Sequence, residues 1–576
     1  MTDQKNDKND NFMRSLCLGE IKEDMILPFP KIKETERETL KTVIDSFGAW
    51  LKNHENDFRK WDAVGEFPPE FLKEMKEFGL FSFIVPEEFG GLGFSNTAYS
   101  RALQELSRYD GSMAVTAGAH SSIGMRGLLL FGTPDQKQKY LGKLATGEMI
   151  AAFCLTEPGA GSDAASIKTT AVKNGDEWIL TGEKLWITNG GIADFFTVFA
   201  KTEGTGGKIT AFIVTRDMAG VSNGPHEDKM GLRASSTTTI NLDGVKVPNA
   251  NVLGEPGKGF KVAMSILNSG RTGLGGGCIG IMKKAIELST KQAKQRVQFG
   301  KPISEFGLIK QKIGHMVVEC YATEAVVAMV AGLSDAGYKD YAVEAAISKV
   351  YASECAWRTV DEALQIAGGN GFMREFPYER MLRDARINRI FEGTNDILRL
   401  FISLTGINDV GTELKEVAAS LQDPIKGFGI LSEYARKKVT HATGYGKAEF
   451  KKAHPAIKAQ TDVFENCAKD LSAAADRLLR KHGKKIVDMQ FATRRLGDIM
   501  IDLFVLSCVI SRVSAAITEK GEKGAAKEME ILEIFCGQAS RRIKGNFSKI
   551  DNNDDELIKS LADHALEAEK FSWDNL

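Results

Sequence analysis

From about Thr35 to Gly147 apolar residues recur at three- and four-residue spacing, as in "FLKEMKEFGLFSFIV" (71–85) and "SRALQELSRY" (100–109). This period predicts amphipathic helices, interrupted at the glycine-rich "EEFGGLGFS" (87–95). Near Ala151 the period changes. "EWILTGEKLWI", "FFTVFAK", "KITAFIVT" and "STTTINLDGVKV" are short β-rich runs separated by Asn174-Gly175, Gly204 to Gly207 and Asp243-Gly244, which predicts a β-sandwich or barrel. After "PNANVLGEPGKGF" the helical period returns in long runs such as "IMKKAIELSTKQAKQR" and "EAAISKVYASECAWRTVDEALQIAG", lengths that suit a bundle of antiparallel helices. Beyond about Gly406 a glycine- and lysine-rich stretch (422–455) leads into further helices.

The pattern divides the chain into a polar tail and lead-in (1–34), an N-terminal helical domain (35–150), a central β-domain (151–258), a helical bundle (259–408) and an additional C-terminal helical domain (409–576). The fold class is mainly α with a central β-domain. The apolar runs 325–334 and 503–511 fall short of the roughly 20 residues that span a bilayer and read as core helices.

Charge narrows the range of partners. With 75 basic against 76 acidic residues the chain has no global field to attract nucleic acid. The eight cysteines stand singly, without CxxC pairs, which disfavours zinc or a disulfide framework; no metal is expected. The N-terminus "MTDQKNDKNDNFMRS" is polar and carries acids, so it reads as a frayed tail rather than a signal or transit peptide. The expected location is the cytoplasm if the source is bacterial, with peripheral contact at the inner membrane as an extension of that reading.

Several stretches offer chemistry. "GLGGGCIG" (273–280) resembles a dinucleotide fingerprint, but it follows a helix and lacks a βαβ setting, so close helix packing is the better reading. "FCLTEPGAGSD" (153–163) puts hydroxyls and unhindered amides at the entrance of the β-domain, where they serve either an ordinary turn or a ligand cradle. In "LWITNGG" (185–191) Trp186 is either a core residue or the companion of a flat heteroaromatic ring. "QIAGGNGF" (365–372) ends a helix on paired glycines, while Arg296 and Arg271 read locally as isolated arginines. "FEGTND" (391–396) sets Glu392 after an aromatic residue and before turn formers, as a helix-capping acid or a base in an apolar pocket.

Taken in order, "LTEPGAGSD", "LWITNGG", "RVQFGKPI", "QIAGGNGF" and "IFEGTND" resemble the acyl-CoA dehydrogenase family from about Phe71 to Thr405, and the further helical domain resembles its very-long-chain subgroup. The resemblance implies FAD held between the β-domain and the bundle. Phe153, Leu155, Thr156, Trp186, Ile187 and Thr188 match flavin contacts from the β side, and Thr394, Asn395 and Asp396 match contacts from the bundle. Gly161 and Ser162 match positions shared by flavin and acyl-CoA. Arg296, Phe299, Gln365, Ile366, Gly368 and Gly369 match positions that reach the FAD of a neighbouring subunit, so the resemblance implies an oligomer, with a homodimer expected. Asn268, Ser269, Gly270 and Arg271 match an acyl-CoA-contacting stretch, and Gly393 is expected to make room for the thioester.

Glu392 matches the catalytic base. Some relatives carry that base at the place of Gly270, where glycine cannot serve. Gly393 and Thr394 are expected to begin a helix whose free amides stabilise charge on the thioester oxygen. The implied reaction is α,β-dehydrogenation of fatty acyl-CoA to trans-2-enoyl-CoA, with electrons passing to an electron-transfer flavoprotein. The alternatives are an acyl-CoA oxidase, a flavoprotein for another substrate, and an assembly factor of the same architecture. Small residues at 117–119, with Val115 and Ala119 where medium-chain relatives are bulkier, favour long acyl chains over plain helix packing. The segment 424–446 mixes apolar and basic residues and reads either as an amphipathic helix on anionic lipid or as a solvated loop with a short helix.

Overall fold

The computed structural model describes residues 8, 10–421 and 428–575. They form two compact units, one comprising Pro28–Ile397 with the segment before Asn11, the other Asn11–Leu27 with everything from Leu398 onward.

In the first unit, helices form where caps and apolar stripes coincide. Thr133 and Gln136 make a reciprocal capping box, with Pro134 at the first helical position of Pro134–Ala145. Asp110 caps Gly111–Gly118 by accepting the Met113 N–H at 2.8 Å, and the same buried carboxylate pairs with Arg380, tying the N-terminal helices to the bundle. After Gly118 the chain continues as one π-helical turn, Ala119–Gly124. There the buried His120 accepts the Ala151 N–H on Nδ1 at 2.9 Å and bonds the Leu144 carbonyl through Nε2 at 3.1 Å. Burial pushes its pKa down to about 3, so it is a neutral strut between helix and sheet.

The β-domain holds eight strands: β1 (Ala151–Cys154), β2 (Thr170–Asn174), β3 (Glu177–Thr188), β4 (Phe195–Thr202), β5 (Ile209–Thr215), β6 (Val221–Asn223), β7 (Thr237–Pro248) and β8 (Val252–Leu253). Their order is β6-β7-β3-β2-β4-β5-β8, and β1 pairs in parallel with β4. Fully buried Phe195, Phe196, Phe199 and Phe212 join the N-terminal helices and the sheet in one core. The bundle then follows as Gly259–Gln295, Gly307–Asp335 and Ala342–Ala367. The glycines of 273–280 serve close packing. A Cβ on Gly276 would lie 2.7 Å from the Ser100 carbonyl oxygen, and one on Gly280 would lie 2.1 Å from that of Gln104.

Residues 1–7 and 9 of the expected frayed tail lie outside the described residues, and from Asn11 the chain departs from that expectation. Phe12–Leu18 is a helix capped by Asn11; Phe12, Met13, Leu16 and Cys17 are fully buried in the second unit, and Arg14 pairs with Asp409. The polar stretch before it concealed it, because its apolar positions span fewer than two helical turns. The second unit is otherwise helical, with Lys458–His482, Gln490–Gly524 and Ala526–Asp551 as its long elements. The apolar runs 325–334 and 503–511 sit inside the longer helices Gly307–Asp335 and Gln490–Gly524. Both helices are long and apolar enough to cross a membrane, but 67% and 89% of their apolar windows are buried in protein. Part of the segment 424–446 lies outside the described residues. Its Phe428–Thr443 portion is helical, with Lys437 paired to Glu413 and Lys438 to Asp476.

One buried ion pair shapes the loop that leaves β1. Lys184, without solvent exposure, donates to Glu157 Oε1 at 2.7 Å and to the Leu155 carbonyl at 3.2 Å, while the Thr169 N–H reaches Glu157 at 3.1 Å. Glu157→Ala would strand the ammonium in the interior and is expected to cost about 3–5 kcal/mol. A thermal melt should show a clearly lowered midpoint, and limited proteolysis should cut between residues 156 and 169; an unchanged melt would contradict the role given to the pair.

Candidate active site

The loop ordered by that pair, the end of β3 and the turn at 391–394 converge on one cavity. Its volume is about 650 Å³, and its walls include Thr156, Gly161, Ser162, Trp186 and Thr188 from the β-domain and Phe391, Glu392, Gly393 and Thr394 from the bundle. Local irregularity aims these groups. The β3–β7 register shifts between Lys184 and Ile187, and within the shift Trp186 takes a left-handed φ of 55° and remains 63% exposed. Three residues on, Asn189 (φ 65°) is fully buried and donates to the Thr116 carbonyl at 3.0 Å, locking the strand end against the N-terminal helices.

Glu392 itself stands at φ 59° and Gly393 at φ 88°. Thr394 caps the helix Asn395–Gly406, accepting the Ile397 N–H at 3.3 Å. The helix thus starts one to two residues later than the sequence suggested: Gly393 lies outside it, and Thr394 is its cap. A second, narrower cavity of about 100 Å³ meets the first at Val115, Thr188, Leu232, Phe391 and Glu392, and runs between Gly111, Ala114, Gly118 and Ala119 on one wall and Gly270, Gly273 and Gly277 on the other.

At that junction Glu392 is held in a dry environment. Glu392 retains some exposure as a residue, but its Oε2 is out of reach of solvent and has no hydrogen-bond partner among the described residues. Burial raises its pKa to about 7 against the opposing pull of Arg271 and Lys349. A Cβ on Gly270 would lie 2.6 Å from Ile123 Cγ2 and 3.0 Å from Glu392 Oε2, so glycine there is the space the carboxylate needs. Arg271 is buried, donating to the Glu392 carbonyl at 3.4 Å and to Asn268 Oδ1 at 3.0 Å.

Not every predicted residue reaches the cavities. Arg271, expected at the substrate, is buried and bonds the Glu392 backbone and Asn268. Leu155, Ile187 and Ser269 are buried behind the surface, and Phe153 packs at a tilt against Phe199 with ring centroids 5.1 Å apart. The Asn395 side chain, expected at the flavin, turns inward to Lys349 and Ser353, because a helix residue beside the cap points into the bundle. Asp396 is exposed, and Asn268 is engaged by Arg271. Arg296, Gln365, Gly368 and Gly369 at helix ends, and Phe299 in the turn between Val297–Gln298 and Lys301–Pro302, are exposed and line neither cavity, while Ile366 is buried. Val115 and Ala119 both line the narrow cavity, and Val115 also reaches the wide one.

Sequence reasoning missed the 227–232 segment, Arg383, Arg386 and Asp384. The Leu232 N–H donates to Asp384 at 2.6 Å, and a Cβ on Gly231 would fall 2.4 Å from the Arg383 backbone, so this loop is pressed onto the helix Tyr378–Arg386. The juxtaposition "DKMGLR" and "ERMLRDAR" offered charge and a glycine, but no spacing that linked them.

Comparison with known proteins matches the domain order of the chain. The acyl-CoA dehydrogenase N-terminal, middle and C-terminal domains match residues 36–148, 152–245 and 257–405, and the ACAD9/ACADV C-terminal domain matches 455–571. The very long-chain specific acyl-CoA dehydrogenase, mitochondrial, of Macaca fascicularis is 43% identical over 94% of this chain and 84% of its own length. A probable acyl-CoA dehydrogenase of Bacillus subtilis (strain 168) is 40% identical over 84% and 81%. Among solved structures, an acyl-CoA dehydrogenase complexed with FAD from Bacillus anthracis superposes with a TM-score of 0.79 at 35% identity, covering 95% of this chain and 94% of that one. Butyryl-CoA dehydrogenase from Megasphaera elsdenii gives 0.62 at 38% identity over 65% and 99%. With its helical domains, central sheet and C-terminal extension all matched, the chain belongs to the acyl-CoA dehydrogenase family.

Proposed function

We propose that this chain is an FAD-dependent dehydrogenase of long-chain or very-long-chain fatty acyl-CoA, forming the trans-2-enoyl-CoA in fatty acid β-oxidation, with Glu392 as the base. The observation that carries this reading is Glu392 at the junction of a wide and a narrow cavity, its Oε2 buried without a hydrogen-bond partner among the described residues and its pKa raised to about 7.

The residues present suit a flavin. Trp186 offers an exposed aromatic body, Thr156 and Thr188 offer hydroxyls on the same side, and a Cβ at Gly161 would meet nothing within 4 Å, so backbone there is open to close approach. Bound in this cavity, FAD supplies the acceptor for the hydride that leaves the substrate β-carbon. The protein handles the proton. An α-proton of a thioester is weakly acidic, and a carboxylate stripped of water is a stronger base than one in solution. Glu392 takes that proton as the α C–H and β C–H bonds break and the α,β double bond forms. Gly393 and Thr394 line the same cavity, where backbone N–H groups would be in place to stabilise charge on a thioester oxygen.

A base works only when ionised, so kcat/KM should climb as pH rises through about 7, instead of through the ordinary carboxylate range. Glu392→Gln should keep its flavin and bind acyl-CoA yet lose roughly a thousandfold or more in turnover. Anaerobic mixing with an acyl-CoA ladder should bleach the flavin, and an electron-transfer flavoprotein should restore the colour faster than oxygen does. Rapid reoxidation by oxygen would favour the oxidase reading, and no bleaching with any acyl-CoA would refute the dehydrogenase.

The acyl chain is assigned to the narrow cavity. Gly277 lines it, and an added Cβ there meets no atom within 4 Å, so a larger side chain would enter the cavity rather than the backbone. Gly277→Leu should therefore depress activity on palmitoyl-CoA relative to butyryl-CoA by roughly tenfold or more. An unchanged chain-length profile would place the acyl chain elsewhere.

The exposed residues at the helix ends, with Phe299, are assigned to a homodimer. Phe299 is 94% exposed at a left-handed φ of 52°, with Phe306 edge-on to its ring at 6.1 Å, so most of its apolar surface is left for a neighbouring subunit. Light scattering should give a dimer mass, and Phe299→Asp should weaken both pairing and FAD retention; a monomer that retains FAD would overturn the assignment.

A further inference from the structure

Lys349 lies on the helix Ala342–Ala367, is without solvent exposure, and is surrounded by Ala, Ile, Val and Tyr in sequence. A buried lysine is rare unless it is paired, and the partners of this one are specific. Its Nζ donates to the Gly393 carbonyl at 2.8 Å and to Asn395 Oδ1 at 2.9 Å. Asn395 in turn bonds Ser353 Oγ through Nδ2 at 3.0 Å and Glu354 Oε1 at 3.0 Å, and Glu354 is paired with Arg389 at 3.1 Å. The ammonium therefore grips the turn on the residue after the base, at the point where Glu392 and Gly393 both hold left-handed backbone. A non-glycine residue in that region persists only where its surroundings over-determine it.

We propose that Lys349 is the positioning residue for Glu392, holding the Glu392–Gly393 turn by hydrogen bonds from inside the bundle while its positive charge favours the carboxylate form of the base. This inference rests on the reading of Glu392 as the base. The titratable groups around the pair are Arg271 and Cys278 from the helix Gly259–Gln295 and Glu354 from the helix of Lys349 itself. Burial lowers the Lys349 pKa to about 7 while the Glu392 charge raises it, so each member of the pair supports the charged form of the other. Arg271 grips the Glu392 carbonyl from the opposite helix, and the base is thereby held from both sides.

Lys349→Met keeps the length and burial of the side chain and removes the charge and the donors. Loss of a nearby positive charge raises a carboxyl pKa, so the acid limb of kcat/KM should move up by about one pH unit. The kcat should fall at least severalfold, with flavin content retained. Lys349→Arg keeps the charge but alters the geometry, and should lower kcat while leaving the acid limb in place. A folded, flavin-loaded K349M with the wild-type limb overturns the proposal. Should K349M fail to fold, K349R decides, because an upward shift of its limb overturns the proposal as well. Wild-type protein that turns over no acyl-CoA would instead fail the functional reading, so the two failures are distinguishable.

Discussion

A carboxylate has to be buried beside apolar surface and still be able to ionise, and the centre of the first unit is arranged around that conflict. Burial alone would keep Glu392 protonated. Two cations on facing helices, Arg271 and Lys349, oppose it electrostatically, and the balance leaves the pKa at about 7 rather than at the ordinary value or far above it. Both cations also bond the backbone of the turn, Arg271 at the Glu392 carbonyl and Lys349 at the Gly393 carbonyl, so charge and position are set by the same side chains. Gly270 completes the arrangement by leaving room where a side chain would strike Glu392 Oε2.

The cavity in front of the base depends on docking between the sheet and the helices. Asn189 ties the end of β3 to the Thr116 carbonyl, His120 ties β1 to the helix Pro134–Ala145, and Leu232 ties the loop before β7 to Asp384. Each is a buried polar contact whose loss leaves an unsatisfied group, which makes such contacts specific as well as stabilising. Asp384 shows the cost. Burial lifts its pKa to about 7 beside Asp110, with Arg380 opposing the shift.

Helical and β-rich regions were legible because their apolar periods differ, and the change near Ala151 coincides with the first strand. The glycines of 273–280 could be assigned to packing because no strand preceded them. The short helix at 12–18 was not legible, since too few apolar positions recur to establish a period. At the site, Glu392, Trp186, Thr188 and the 156–162 loop could be read from ordered motifs. Lys349, Asp384 and Leu232 could not, because their partners lie far along the chain: Lys349 and Asn395 are 46 residues apart, and Leu232 and Asp384 are 152.

The sequence by itself determined the classes of element and the family, and it singled out Glu392, since these follow from local period and from residues close together in order. It left Asn395 facing the flavin and Arg271 facing the substrate. Tertiary structure turned Asn395 inward and Arg271 onto the backbone of the base, and it alone joined the two cavities at Glu392. The physical reason is that side-chain direction and pKa depend on which distant groups share a low-dielectric space, and that is decided only when the helices close around it.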